Sequence, residues 1–407
     1  MLTGEETLKY IADNHPQLLG EFAGLGLGGY FLPDTLSVAG RFTRLSSVCA
    51  SNHIDVPQLV ARLNSLLEQE RGAKNNLSAT LGHMHLTAML PCGLRNPYKE
   101  KLEEHLQANA DLYKGLNYMA EGNLNHEQSY YPLLDQIDNP DNLPDIMIAS
   151  DINNCFHTHF VSRFVNKGVF AEYMPFEPNK YLSDAGFNDP LKRYTMLTAN
   201  LLVVVVDREK LGDRPMPRTW ADILSPIFVN DIVMRGEDNF FCNAVMLPLY
   251  KDFGMEAIKA MAGNVKSGRH PAEMVKLAGA EKPEAATIYI MPYFFAKKIQ
   301  SGRVDIVWPA DGAIASPVFL LVKADRIERH KPLLDYLLST DMAQMLVKRH
   351  FPSINPQVGN DTLPGSVKWL GWDFLAKNDI AVLKEQIRTR FMEVWMKGRI
   401  ETKPVAP

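Results

Sequence analysis

Side chains that can bind a ligand occur in five short loop segments, and four of these segments lie at the end of a predicted strand. In open α/β sheets, ligands bind beyond the carboxyl ends of the strands, where the first N–H groups of the following helices are free. Three segments contain a glycine, which lets the backbone approach a ligand closely, although glycine also marks ordinary tight turns. The predicted ligand-binding residues are Cys92, Gly93, Arg95, Asn96, Asp151, Asn153, Asn154, Gly236, Glu237, Asp238, Asn239, Met291, Tyr293, Asp311 and Gly312.

The charge of the ligand stays open in this set. Arg95 is its one clear base, and its acids are Asp151, Glu237, Asp238 and Asp311. Helix N-termini together with Arg95 favour an anion, whereas paired carboxylates favour a cation. The sequence leaves both alternatives in place.

Thiols provide a second possible chemistry. Cys92 and Cys155 follow two predicted strands and Cys242 follows a later loop, so the three thiolates could together bind a soft metal such as Cu(I) or Zn(II). The histidines at positions 83, 85, 157 and 159 could add imidazole ligands. Buried cysteines that simply fill space are the alternative. Cys92 at a helix N-terminus also makes a thiol enzyme conceivable, but no paired base can be assigned to it.

Composition limits the classes of function. The chain has 407 residues, 46% of them hydrophobic, and a net charge of −4. This length predicts two or three domains, and the absence of a basic cluster argues against nucleic acid and anionic membranes as main partners. The sequence shows no phosphate-binding, dinucleotide-binding or HExxH motif, so we predict neither a catalytic residue nor a cofactor.

The order of elements predicts an α/β protein preceded by a small all-α domain. Residues 1–70 have helical periodicity, with Thr3 and Glu6 as a capping box and Asp55 as an N-cap. A polar linker is expected at 71–78. Strands are predicted at 79–90, 145–150, 286–291 and 304–308, alternating with helices, which is typical of a mostly parallel sheet.

Two long apolar segments, 195–206 and 312–323, are typical of strands buried on both faces. If both cross between lobes, residues 79–194 and 324–400 form lobe I and residues 207–311 form lobe II. The two segments then act as the hinge.

Three motifs carry a resemblance to a known family. They are residues 218–226 (RTWADILSP), residues 308–313 (WPADGA) with Ser316 and Pro317, and residues 333–339 (LLDYLLS) with Ala343 and Gln344. In this order they resemble the iron- and spermidine-type solute-binding proteins of ABC transporters, and the resemblance spans about residues 79–400. It implies a two-lobed type II periplasmic-binding-protein clamshell that binds a small molecule or ion, without catalysis, in the cleft between the lobes and closes over it.

Departures from the family pattern narrow this expectation. Ferric-ion members bind iron through adjacent tyrosines, whereas this chain has Tyr293 followed by two phenylalanines, and Tyr130 and Tyr131 lie on a different segment. A ferric tyrosinate site is therefore disfavoured. Residues 5–70 resemble a short helical domain of unknown function whose turn usually carries cysteines, but residues 26–31 contain none. We expect this domain, residues 1–70, to be the contact for a protein partner. A sensor or adaptor protein is then the alternative to a protein that only binds a solute.

The N-terminus and the cysteines lead us to expect a cytoplasmic location without membrane insertion. Residues 1–6 are acidic and lack the basic and apolar regions of a signal peptide. No apolar run approaches the ~18 residues of a membrane span. The four cysteines lie far apart, without the spacing of a disulfide framework or a structural zinc site.

Overall fold

The computed structural model describes residues 2–15, 18–25, 27–31, 35–36, 39–52, 54–81, 83–122, 130–237 and 240–401. The chain divides into two compact units, Met1–Thr80 and Leu81–Pro407. No helix among the described residues is long and apolar enough to cross a membrane.

The N-terminal unit is helical and has a core of its own. Its helices are Leu8–Asn14, Leu19–Gly24, Leu45–Ser51 and Val56–Leu81, with a 3-10 turn at Gly28–Phe31. Leu8, Ile11, Phe22, Leu45 and Leu63 are buried together at its centre. Burial of this apolar set supplies the main driving force for the unit.

Capping residues set where these helices begin. Asp55 accepts a hydrogen bond from Gln58 N at 2.7 Å, which confirms it as a cap. Glu6 accepts from Thr3 N as predicted, but the first helix begins one turn later, where Thr7 accepts from Tyr10 N at 3.2 Å. Residues 71–78 are not an irregular linker, because the helix Val56–Leu81 continues through them.

The second unit contains one large mixed sheet, which confirms the predicted fold class. Its strands are β1 (Leu86–Leu90), β2 (Tyr118–Gly122), β3 (Ile146–Ser150), β4 (Phe170–Ala171), β5 (Thr195–Asp207), β6 (Ile232–Met234), β9 (Val265–Gly268), β10 (Ile288–Pro292), β11 (Val304–Val307), β12 (Ala313–Lys323) and β13 (Val367–Lys368), while β7 (Gly236–Glu237) and β8 (Phe240–Phe241) form a separate pair. The central order is β2-β1-β3-β12-β5-β10-β6-β9. The predicted first strand is shorter than residues 79–90, since residues up to Leu81 are helical.

Two parallel groups of strands flank an antiparallel pair. β2, β1 and β3 are parallel to one another, as are β10, β6 and β9. β12 and β5, the two predicted crossovers, pair antiparallel between the groups. β11 is also antiparallel to β5. The division into lobes stays a prediction, but this arrangement places the two predicted sets of strands on opposite sides of the crossover pair.

Helices cover the sheet of the second unit. They are Arg95–Ala108, Tyr130–Leu134, Thr158–Phe160, Lys180–Ser183, Arg208–Leu211, Asn243–Asn264, Pro271–Leu277, Tyr293–Ala296, Ile327–Leu337, Thr340–Lys348, Trp372–Lys377 and Ile380–Glu401. A five-residue π-helix, Val161–Val165, follows Thr158–Phe160.

The helix Ile380–Glu401, here called the C-terminal helix, differs from the predicted lobe assignment. It was assigned to lobe I, yet it packs along the helix Asn243–Asn264 of predicted lobe II. The ring centroids of Phe391 and Phe241 are 4.6 Å apart, and Trp395 Nε1 donates to Val265 O at 2.9 Å. Burial of these aromatic side chains explains the placement.

Candidate functional site

A cleft lies where the carboxyl ends of the two parallel groups meet. The registers place Ser150, the last residue of β3, beside Val318, which pairs with Thr198 of β5. Pro292, the last residue of β10, pairs with Leu202 of the same strand. Both groups therefore end within a few residues of Asn200, and the loops that follow them face each other across it.

This cleft encloses about 480 Å³ of empty space, part of it open solvent. Its walls come from the loops after β1, β3, β6 and β10 and from the start of the helix Pro271–Leu277. Its floor comes from the crossover strands. The lining residues are Pro91, Cys92, Ser150, Asp151, Asn200, Arg235, His270, Pro271, Pro292, Phe294, Phe295 and Ser316.

The floor of the cleft is polar, although most residues of the two strands that form it are apolar. Asn200 of β5 and Ser316 of β12 are direct cross-strand partners, which places their side chains side by side. Asn200 is the one residue of β5 that is not buried, and its Oδ1 is inaccessible to solvent and has no hydrogen-bond partner among the described residues. A buried acceptor without a partner costs free energy, and a ligand's donor can reach this one only when the surrounding side chains rearrange.

The cleft lining contains one cation, Arg235, one carboxylate, Asp151, and the imidazole of His270. Arg235 follows β6, and His270 precedes the helix Pro271–Leu277 and accepts from Ala272 N through Nδ1 at 3.2 Å. Burial and the nearby Arg235 guanidinium lower the pKa of His270. A neutral His270 thus carries its proton on Nε2, as a donor. Asp151 is the acid of the lining, and its Oδ1 already accepts from Ile152 N at 2.8 Å.

Two opposing loops touch at one edge of the cleft. A Cβ atom on Gly93, after β1, would lie 2.6 Å from Cε2 of Phe294, after β10. Only glycine permits this approach. Phe294 is held by Phe295 and Phe351, whose ring centroids lie 4.4 Å and 5.2 Å away.

Of the predicted ligand-binding residues, the cleft brings together Cys92 and Asp151. Arg95 instead pairs with Glu121 at 2.8 Å, and Asn96, expected to cap a helix, lies exposed in the first turn of Arg95–Ala108. Asn153 accepts from Cys155 N at 2.8 Å and donates to Ser150 O at 3.0 Å, which shapes the loop. Asn154 donates to Asp135.

The remaining predicted residues lie outside the cleft lining. Met291 is fully buried within β10, and Tyr293 packs edge-on against Trp308 with centroids 5.2 Å apart. Asp311 accepts from Trp220 N at 3.2 Å, and Gly312 O accepts from Trp220 Nε1 at 2.8 Å. These two hold the start of β12. Gly236 and Glu237 form β7, while Asp238 and Asn239 fall outside the described residues.

The structure does not assemble the proposed thiolate site. Among the described residues, no three His, Cys, Asp or Glu side chains are placed to hold a metal. Cys92 is exposed, whereas Cys155 and Cys242 are buried, and burial raises the pKa of the Cys155 thiol. His85 accepts from Asn117 N at 2.9 Å, which accounts for its place in the loop before β1. The three cysteines therefore stand in separate environments.

Comparison with known proteins decides the family. The sequence matches the family model described as bacterial extracellular solute-binding protein over residues 141–378, more than half of the chain. The chain belongs to this family. Solute-binding proteins of this kind bind their ligands without catalysis, as predicted. A search of curated proteins found no match.

Solved structures resemble this solute-binding protein in fold. A ferric binding protein from Campylobacter jejuni matches with a TM-score of 0.52 and 13% identity, covering 77% of this chain and 98% of its own. An ABC transporter protein from Clostridium perfringens matches with a TM-score of 0.54 and 14% identity, covering 77% and 99%. A two-component system protein that mediates signal transduction matches with a TM-score of 0.53 and 16% identity, covering 75% and 99%. They show a type II periplasmic-binding-protein fold.

Sequence reasoning missed most of the cleft lining of this solute-binding protein. Arg235 and Phe294 each lie one residue from a predicted ligand-binding residue, so the sequence predicted these two loops but not the side chains that line the cleft. Asn200 and Ser316 lie within strands, so a rule that selects the loops after strands excludes them. Their signal was present in the sequence: each is a polar residue in a strand whose residues are mostly apolar and buried, and such a residue needs a polar partner.

Proposed function

We propose that the cleft binds a small organic anion that also carries a hydrogen-bond donor. The family supports binding of a solute, and the lining supplies the finer identity. The lining contains two donor side chains, Arg235 and His270, and one carboxylate, Asp151, whose Oδ1 already accepts from Ile152 N. The observation that carries the proposal is the set of donor groups in the lining, the Arg235 guanidinium and His270 Nε2, beside the unpartnered Asn200 Oδ1.

Each part of the lining has a role in this proposal. Arg235 provides the charge and a planar fork of donors suited to carboxylate or phosphate oxygens. His270 Nε2 donates a further hydrogen bond, and Asn200 Oδ1 accepts one from a hydroxyl, amide or amino group of the ligand. Phe294 and Phe295 provide an apolar wall, which strengthens these polar contacts by excluding water.

A ferric ion fits the cleft poorly. Among its described lining residues there is no tyrosine and one carboxylate, whereas hard cations prefer several oxygen ligands. We therefore propose an organic anion rather than a metal ion as the solute, and we propose that the loops close over it by hinge motion of the crossover strands.

Native mass spectrometry of gently purified protein, followed by calorimetry with the anion it retains, tests this function. Arg235→Gln should weaken binding on the order of tenfold to a hundredfold, because a charge-assisted hydrogen bond is lost. Asn200→Leu should weaken it by about fivefold to tenfold. Arg218→Gln, an exposed arginine outside the lining, is the matched control and should bind normally. Retention of a cation, or normal binding by Arg235→Gln, would contradict the proposal.

A sensor function is the second candidate, and the independent core of the N-terminal unit favours it. In that case the N-terminal unit contacts a protein partner and the cleft reports the solute. Residues 81–407 alone should then keep the solute affinity of the full chain while losing the partner in pull-down experiments. Equal partner capture by both proteins would speak against it. The cytoplasmic location stays a prediction, which fractionation of cells expressing a C-terminally tagged chain would test.

A further inference from the structure

A second pocket lies at the amino ends of β1 and β2, whereas the cleft lies beyond the carboxyl end of β1. His85 directly precedes β1 and Leu116 lies two residues before β2, and the two strands begin side by side. The helix Ile327–Leu337 forms the opposite wall. The pocket encloses about 560 Å³ of empty space, part of it open solvent, and shares no lining residue with the cleft. The lining residues are His85, Leu112, Tyr113, Lys114, Gly115, Leu116, Arg329, His330, Pro332 and Leu333.

Two hydrogen-bond donors meet in this pocket without an acceptor between them. His85 Nδ1 accepts from Asn117 N at 2.9 Å. Burial and the nearby Arg329 guanidinium lower the pKa of His85, so the ring is neutral at neutral pH and carries its single proton on Nε2. This Nε2 lies 3.3 Å from Arg329 Nη2, which can only donate. The contact therefore places one donor against another.

The pocket also carries positive charge that nothing in its lining offsets. The lining contains Arg329 and Lys114 but no carboxylate, and neither cation has an ion-pair partner among the described residues. Both side chains are exposed and His85 is half-buried, so a solute can reach all three. A water molecule could accept from the two donors but would leave the two charges unbalanced, whereas an anion would offset them as well.

The other polar side chains of the lining already have partners. Tyr113 Oη lies 2.9 Å from His105 Nε2. His330 Nε2 lies 2.7 Å from Asp145 Oδ2, and Arg326 Nε lies 3.6 Å from the second oxygen of that carboxylate. Asp145 is outside the lining, and its charge is balanced by these neighbours. The polar requirement that remains in the pocket is an acceptor for the two facing donors.

We propose that this pocket is a second binding site, for a small oxyanion of the phosphate type. One oxygen of the anion accepts from His85 Nε2 and Arg329 Nη2 together, and Lys114 supplies a further positive charge. Asn117 positions the imidazole, because its backbone N–H fixes the proton of His85 on Nε2. The five residues of β1, about 16 Å of strand, separate this site from the cleft, so both can be occupied at once.

Histidine NMR spectra of the full chain test this site, with inorganic phosphate as the probe. A long-range ¹H–¹⁵N spectrum without phosphate should show the proton of His85 on Nε2, and comparison with His85→Gln assigns its signals. Sodium phosphate, exchanged for sodium chloride at constant pH and ionic strength so that screening stays the same, should shift the His85 signals and saturate in the millimolar range. A proton on Nδ1, or a shift that does not saturate, would overturn the proposal.

Removal of one cation locates the bound phosphate. Arg329→Gln should weaken phosphate binding about tenfold or more, because a charge-assisted hydrogen bond is lost. Arg349→Gln is the matched control: Arg349 is also exposed and does not line the pocket, and the change in net charge is the same. Equal affinity of these two variants for phosphate would refute the site. Arg235→Gln should keep the His85 response, which separates this test from that of the cleft, and loss of the response in that variant would place the phosphate in the cleft instead.

Discussion

The contact between Gly93 and Phe294 makes a direct prediction about the edge of the cleft. An alanine Cβ at position 93 would lie 2.6, 2.7 and 2.8 Å from Cε2, Cζ and Cδ2 of the Phe294 ring. Carbon atoms pack best about 3.5–4.0 Å apart, so the ring must retreat by about 1 Å. Phe295 and Phe351 stand behind it. Overpacking of this kind costs about 1–3 kcal/mol.

Gly93→Ala should therefore lower the free energy of unfolding by about 1–3 kcal/mol, measured in guanidinium chloride. Gly263→Ala is the control, because no atom lies within 4 Å of its added Cβ and a helical alanine stabilises by up to about 1 kcal/mol. In a Phe294→Ala background the cost of Gly93→Ala should disappear, since the two residues are coupled. An equal cost in both backgrounds would refute the reasoning.

The loops could also relieve the clash by separating, because they follow strands from opposite sides of the crossover pair. Stability would then change little, but closure over the ligand would be hindered. The affinity for the retained anion should fall in Gly93→Ala and recover in the double variant. Unchanged stability together with unchanged affinity would show that the two loops do not meet in solution.

Two further predictions concern the framework of the second unit. Trp220→Phe should lower the free energy of unfolding by about 1–3 kcal/mol in urea melts, because its buried Nε1 donates to Gly312 O at 2.8 Å; Trp308→Phe, which loses an exposed bond to Ser366 O at 2.7 Å, should cost less, and the reverse order would contradict this. Burial opposes ionisation of Asp145, but His330, Lys323 and Arg326 together lower its pKa below 3.8. This stabilisation is complete above the unfolded-state pKa of Asp145 and is lost as the pH falls through its folded-state pKa. The Asp145→Asn protein should therefore lose less stability than the unmodified chain below pH 3.8. Parallel acid denaturation curves of the two proteins would show that Asp145 does not contribute.

The sequence predicted the fold well because its strongest signals are those of the sheet. Six consecutive aliphatic residues at 201–206 belong to a strand that is buried on both sides. Periodicity alone does not separate such a run from a buried helix, but its short length and its four valines favour a strand. The linker at 71–78 was misplaced because a polar, glycine-containing segment is typical of a loop, yet here the helix continues through it.

The predicted ligand-binding residues stay a prediction, and most of them lie outside the cleft lining for a different reason. The loops that follow parallel strands lie at one edge of the sheet, and loops of this type do line the cleft. Which side chain of a loop turns inward depends on contacts remote in sequence, such as Arg95 with Glu121 or Asp311 with Trp220. Each of these residues is used by the framework, and only the tertiary structure distinguishes that use from ligand binding.

The position of the cleft follows from strand direction and length. β3 and β10 both pair antiparallel with the crossover strands and point toward each other, so their carboxyl ends meet head to head. β5 has 13 residues, enough to pair with both halves. Asn200 lies midway along β5, between the ends of the two groups of strands, and its cross-strand partner is Ser316. These two residues can therefore serve the ligand, because the aliphatic residues on either side of them already hold the sheet together.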